Sequence, residues 1–117
     1  MAASFHTYTD EQLDRARHTL HDAITWQGEN PRAWDFIVRT ALDLGANGKR
    51  IGAQRLIEDV RARDFTDELG MPTKTNNNYA PVFARLLVYE HPHLLPLVEL
   101  RSSAIDAIMH AGGVYLA

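Results

Sequence analysis

Residues 72–86 read Pro72-Thr73-Lys74-Thr75-Asn76-Asn77-Asn78-Tyr79-Ala80-Pro81-Val82-Phe83-Ala84-Arg85-Leu86, and the fold depends on how this stretch is read. Asparagine is a weak interior helix former but a preferred cap, because its short amide competes for nearby backbone groups. From Tyr79 onward, Val82, Phe83, Leu86 and Leu87 recur at helical spacing; Pro81 is tolerated in a first turn and Pro92 forces the end. The stretch therefore predicts a polar loop leading into an apolar helix at the centre of the core, and with it a mainly α protein. Three adjacent asparagines also offer a dense set of donors and acceptors, which makes the same residues candidate contacts.

Working upstream, Thr9 and Gln12 have the spacing of a capping box, with Asp10 and Glu11 suited to the positive end of a helix. Leu13, Ala16, Leu20, Ala23 and Ile24 continue it over about residues 10–26, before Gly28. Asn30-Pro31 starts a second helix with the stripe Trp34, Ile37, Val38, Ala41 and Leu42, and Gly45 is its expected stop. The stretch Ala46-Asn47-Gly48-Lys49-Arg50 reads as an exposed turn or tight bend, and Ile51, Ala53, Leu56, Ile57 and Val60 mark a third helix. Residues 64–75, with Gly70 and Pro72, form a loop long enough to suggest function.

Downstream of Pro92, residues 93–101 fit a short strand or a one-turn helix, and a short β-hairpin near residues 94–101 would make the fold winged-helix-like. Ser103 and Asp106 form a second capping signal before Ile105, Ile108 and Met109. The expected architecture is a single compact domain of four to five helices over residues 1–117, with 1–8 a flexible N-terminal segment. The apolar Val114-Tyr115-Leu116-Ala117 tail is compatible with a strand, a packed arm or homodimerisation.

Composition narrows the function classes. The 117 residues are 45% hydrophobic and 23% charged, enough for one core, and seven glycines and five prolines give no low-complexity tract. No apolar run spans a bilayer and no secretory signal opens the chain, so a cytoplasmic location without membrane contact is expected. The absence of cysteine removes disulfides, thiolate metal sites and thiol nucleophiles.

A formal net charge of −3 argues against bulk coating of nucleic acid, yet Lys49, Arg50, Arg55, Arg61 and Arg63 outnumber Glu58 and Asp59 along one segment. That basic edge fits either phosphate contact or a solvated helix face. His18 and His21 beside Asp14 and Asp22, and His91 with His93, lack a metal-binding spacing with a third ligand, so no metal or cofactor is expected. No phosphate loop, nucleophile elbow or spaced carboxylate pair appears, and no enzymatic activity is expected.

The order Asn30-Pro31-x-x-Trp34, Ile57-x-x-Val60-Arg61, Lys74-x-Asn76-Asn77-Asn78-Tyr79 and Ala84-Arg85-Leu86, then His91-Pro92 and Arg101, resembles a family of small uncharacterised bacteriophage and prophage proteins. The likeness covers roughly residues 29–103. It departs from the family pattern at Val60-Arg61-Ala62-Arg63, Pro72-Thr73 and Val82-Phe83. It implies a phage or prophage origin and residence in the cytoplasm of a host bacterium, and carries no activity with it.

Two function classes follow. Two short helices, a connection and a helix approached through polar residues resemble a winged-helix DNA-binding regulator, with duplex DNA as partner. Asn76, Asn77, Asn78 and Arg85 would then face bases, while Lys74, Lys49, Arg50 and Arg61 would face phosphates. The alternative is a nonenzymatic modulator that binds a host protein through its polar loop. A structural account competes with both: one asparagine caps the helix, another permits a left-handed turn, and Arg85 and Arg101 clamp loop carbonyls and a carboxylate such as Glu90 or Glu99.

Overall fold

A computed structural model describes residues 7–112. Most of the expected N-terminal flexible segment 1–8, and the 114–117 tail, lie outside the described residues. Five α-helices follow in order: α1 (Asp10–Glu29), α2 (Pro31–Ala46), α3 (Ala53–Arg61), α4 (Ala80–Glu90) and α5 (Ile105–Gly112). Short 3-10 turns at Asn77–Tyr79 and Pro92–Leu94 lead into and out of α4.

The capping box of α1 forms in both directions: Gln12 N–H donates to Thr9 Oγ1 at 3.1 Å and Thr9 N–H to Gln12 Oε1 at 2.8 Å. The helix does not end before Gly28 but continues to Glu29. Trp26 is the reason. Its ring is buried against Phe83, 5.2 Å between centroids, and this packing outweighs the roughly 1 kcal/mol that an interior glycine costs a helix.

Asn30 alone separates α1 from α2, and its buried side chain does not cap α2 as expected. Its amide N–H donates to the Trp26 carbonyl at 3.0 Å and its Oδ1 accepts the Thr73 hydroxyl at 2.8 Å. Both groups are therefore satisfied by closing α1 and by holding the loop after α3. The stop of α2 moves from Gly45 to Gly48, which lies at φ +66. Lys49 N–H reaches the Leu44 carbonyl and Gly48 N–H the Gly45 carbonyl, the paired bonds that close a helix through a left-handed residue.

Helix α4 occupies the centre, packed against α1 and α3, and buries Val82, Phe83, Ala84, Leu86 and Leu87. Trp26, Trp34 and Tyr79 surround Phe83 at ring separations of 5.2, 5.2 and 5.8 Å. The Tyr79 phenol is pushed up from its ordinary value of 10.0 by burial, reinforced by the negative charges of Asp22 and Glu29.

The winged-helix hairpin is overturned. Among the described residues there is no strand, only isolated bridges of Ile51 with Val98 and of Thr66 with Pro72. Residues 94–101 turn once and then pass beside Ile51, whose N–H donates to the Leu97 carbonyl and whose carbonyl accepts the Glu99 N–H, both at 2.9 Å. Pro96 removes a donor that a hairpin ladder needs, and the Leu97 and Val98 N–H groups turn back to the Leu94 carbonyl.

Candidate binding site

The segment between α3 and α4 supplies both candidate surfaces. At its far end Asn76 caps the 3-10 turn, its Oδ1 accepting the Asn78 N–H at 2.9 Å. Asn77 Oδ1 accepts from Arg61 at 2.7 Å, and the same guanidinium reaches the Thr75 carbonyl at 3.3 Å. Among the described residues no non-glycine residue has positive φ, so none of the asparagines makes the expected left-handed turn. The Lys74 carbonyl accepts the indole N–H of Trp26, which pins the backbone while the lysine side chain stays exposed.

Arg85 faces inward. With its side chain 11% exposed, Nε donates to Asp106 Oδ1 at 2.6 Å and Nη2 to Asp106 Oδ2 at 3.0 Å. The remaining bonds go to the Pro81 carbonyl at 2.9 Å and the Arg101 carbonyl at 2.7 Å. Arg85 is thus a clamp between α4, α5 and the segment before α5. Its carboxylate is Asp106, in place of the expected Glu90 or Glu99, and Ser103 Oγ accepts the Ile105 N–H at 3.2 Å.

Asn77, Asn78, Arg85 and Arg101 line a groove of about 410 Å³ with Gln54 and Glu99. This groove unites part of the sequence-derived set. Lys49, Arg50, Arg61 and Lys74 are not in its wall. Lys49 and Arg50 are exposed in the connection between α2 and α3, and Arg50 lies 3.8 Å from Glu99. Arg55 pairs with Asp59 at 3.5 Å, and the Arg63 guanidinium lies 4.6 Å from the centre of the Phe36 ring. The four arginines of the basic edge are therefore divided among local contacts; exposed pairs of this kind stabilise little but lower the field.

The near end of the segment was not legible as a site. Asp67 Oδ1 accepts the N–H groups of Leu69 and Met71, both at 2.9 Å, and Gly70 turns the chain at φ +80. Glu68 N–H donates to the Glu29 carbonyl, also at 2.9 Å, which fastens the loop to the end of α1. Asx turns of this kind fix a backbone without regular structure. The tip so held presents Leu69 at 85% exposure and Met71 at 60%.

Beside the foot of this loop, Phe65 packs on Phe36 with ring centroids 5.4 Å apart. Pro31, Arg32, Asp35, Phe36, Arg39 and Phe65 enclose a shallow trough of about 590 Å³. The sequence holds a weak signal for the tip, the Asp67-x-x-Gly70 turn pattern, and none for the pairing of Phe36 with Phe65, which are 29 positions apart in the chain. No protein-family model, characterised protein or solved structure matches the chain. No helix among the described residues is long and apolar enough to cross a membrane.

Proposed function

We propose that this chain is a nonenzymatic phage or prophage accessory protein that acts by binding a protein partner through the 66–72 tip. The observation that carries the reading is the exposure of Leu69 and Met71 on a backbone already held by Asp67 and Glu29. Isolated exposed hydrophobics are common, but two at one fixed tip supply apolar area whose ordering cost has been met before association. The origin rests on the resemblance of residues 29–103.

The duplex-DNA reading draws less support. A recognition helix must offer a face to the major groove, and α4 buries five of its eleven residues. Of the expected base contacts, Arg85 is turned inward onto Asp106, and the exposed Asn76 and Asn77 already bond to Asn78 N–H and Arg61.

The test is affinity capture from a bacterial lysate with the wild-type chain and a Leu69→Asp/Met71→Asp variant of unchanged melting temperature. The variant is expected to lose the captured protein. Retention of that protein overturns the reading, as does wild-type binding to duplex DNA at low salt whose affinity falls steeply as salt rises.

A further inference from the structure

We propose that the Phe36–Phe65 trough receives an acidic segment carrying apolar side chains, contributed by the protein partner. This inference rests on the protein-binding reading and specifies the chemistry of what is bound.

The trough has an apolar floor and a basic rim. Arg32, Asp35, Phe36 and Arg39 fall at positions i, i+3, i+4 and i+7 of α2, so they share one helix face, and Phe65 closes the trough from the loop. Arg63 adds a third guanidinium, over Phe36. The lining holds two arginines against one aspartate, and Arg63 and its chain neighbour Asp64 at the edge cancel in formal charge, which leaves the patch basic by one charge on a chain whose formal net charge is −3. A patch opposite in sign to the rest of the molecule steers an acidic segment toward it and repels a basic one.

The internal acid is a weak competitor. Arg39 Nε lies 2.9 Å from Asp35 Oδ2, but the two side chains are 78% and 55% exposed, so the pair is water-screened and readily exchanged. Arginine presents a planar fork that matches an incoming carboxylate in two bonds, and Arg32 and Arg39 flank the floor where such carboxylates would bracket an apolar side chain. A volume of about 590 Å³ suits a few side chains of a peptide. Single-stranded nucleic acid is the less suitable occupant, because two arginines in the lining, with Asp35 between them, are too few to track a phosphate backbone.

The experiment is selection of random peptides displayed against the intact chain, followed by fluorescence anisotropy with the enriched peptides and with an oligothymidine control. Enriched peptides are expected to be acidic and to carry aliphatic or aromatic residues. Arg32→Gln/Arg39→Gln is expected to weaken them about tenfold, and Asp35→Asn, which removes the internal competitor, to tighten them. Amide shifts on binding should centre on Arg32, Asp35, Phe36, Arg39 and Phe65. Absence of enrichment, enrichment of neutral or basic peptides, indifference to the arginine substitutions, or preference for the oligonucleotide overturns the proposal. The two readings separate in the lysate experiment: loss of capture by Leu69→Asp/Met71→Asp with full capture by Arg32→Gln/Arg39→Gln leaves the tip as the contact and removes the trough. Unchanged capture by the tip variant removes the tip reading, and unchanged capture by both variants removes the tip and the trough together.

Discussion

Residues 66–72 and residues 74–79 belong to one connection between α3 and α4, and they differ in where their side chains go. At 74–79 the polar groups turn back on the molecule: Asn76 caps, Asn77 takes Arg61, and the Lys74 carbonyl takes Trp26. At 66–72 the Asp67 carboxylate satisfies the backbone, and the apolar residues Leu69 and Met71 project outward. Chemical variety in a sequence marks where hydrogen bonds are needed, and that place can be an exposed joint between two elements of the fold. The surface left for a partner is then the one that the internal bonds hold in place without occupying.

The largest expected effect lies at the Arg85 clamp behind the groove. Arg85→Met is expected to lower stability by about 2–3 kcal/mol, because Asp106 and two backbone carbonyls lose their donors together. Urea denaturation measures this. An unchanged midpoint accompanied by lost partner binding would make Arg85 a contact and reverse the assignment of the two regions.

Trp26→Phe retains most of the packing on Phe83 and removes the indole donor to the Lys74 carbonyl, an expected loss of about 1 kcal/mol. In the asparagine run the ranking is Asn76→Ala at about 1 kcal/mol, Asn77→Ala smaller because the Arg61 bond is exposed, and Asn78→Ala within about 0.5 kcal/mol. Equal losses at all three positions in thermal melts would mean that the run acts as a unit. Leu69→Asp/Met71→Asp is expected to change stability by less than about 0.5 kcal/mol while abolishing capture of the partner, since the tip bonds run through backbone N–H groups and Asp67.

The smallest effect is confined to alkaline pH. Tyr79 has a phenol pKa raised above 10.0 in the folded chain, so above that pH the unfolded chain releases its proton first and stability falls until the folded value is passed. Tyr79→Phe should flatten that part of the stability profile relative to the wild type, and an unchanged alkaline slope would remove Tyr79 as its source.

Much of the fold is legible in the sequence wherever the signal is local. The capping box Thr9–Gln12, the run Asn76-Asn77-Asn78 before an apolar helix, and the stop at Pro92 depend on residues within one or two turns, and each forms. The errors lie where a distant group intervenes. Gly28 stays helical because Trp26 packs on Phe83; Asn30 abandons its cap for Thr73; and residues 94–101 make no hairpin because Ile51 takes their backbone.

The sites divide in the same way. Lys74, Asn76, Asn77, Asn78 and Arg85 are conspicuous by residue type, but type does not reveal whether a donor points in or out. For Asn76, Asn77 and Arg85 that was decided by residues 2 to 21 positions away. Leu69 and Met71 are ordinary residues made notable only by exposure, and the Phe36–Phe65 trough exists only once α2 and the loop meet.

By itself the sequence determined the helical class, the order of the helices and the central place of residues 79–87, because capping and 3.6-residue periodicity act over short chain distances. Tertiary structure alone decided that Asn77 pairs with Arg61 and Arg85 with Asp106, that residues 94–101 form no hairpin, and which apolar residues remain outside. Those outcomes depend on hydrogen-bond partners and packing surfaces that only folding brings within reach.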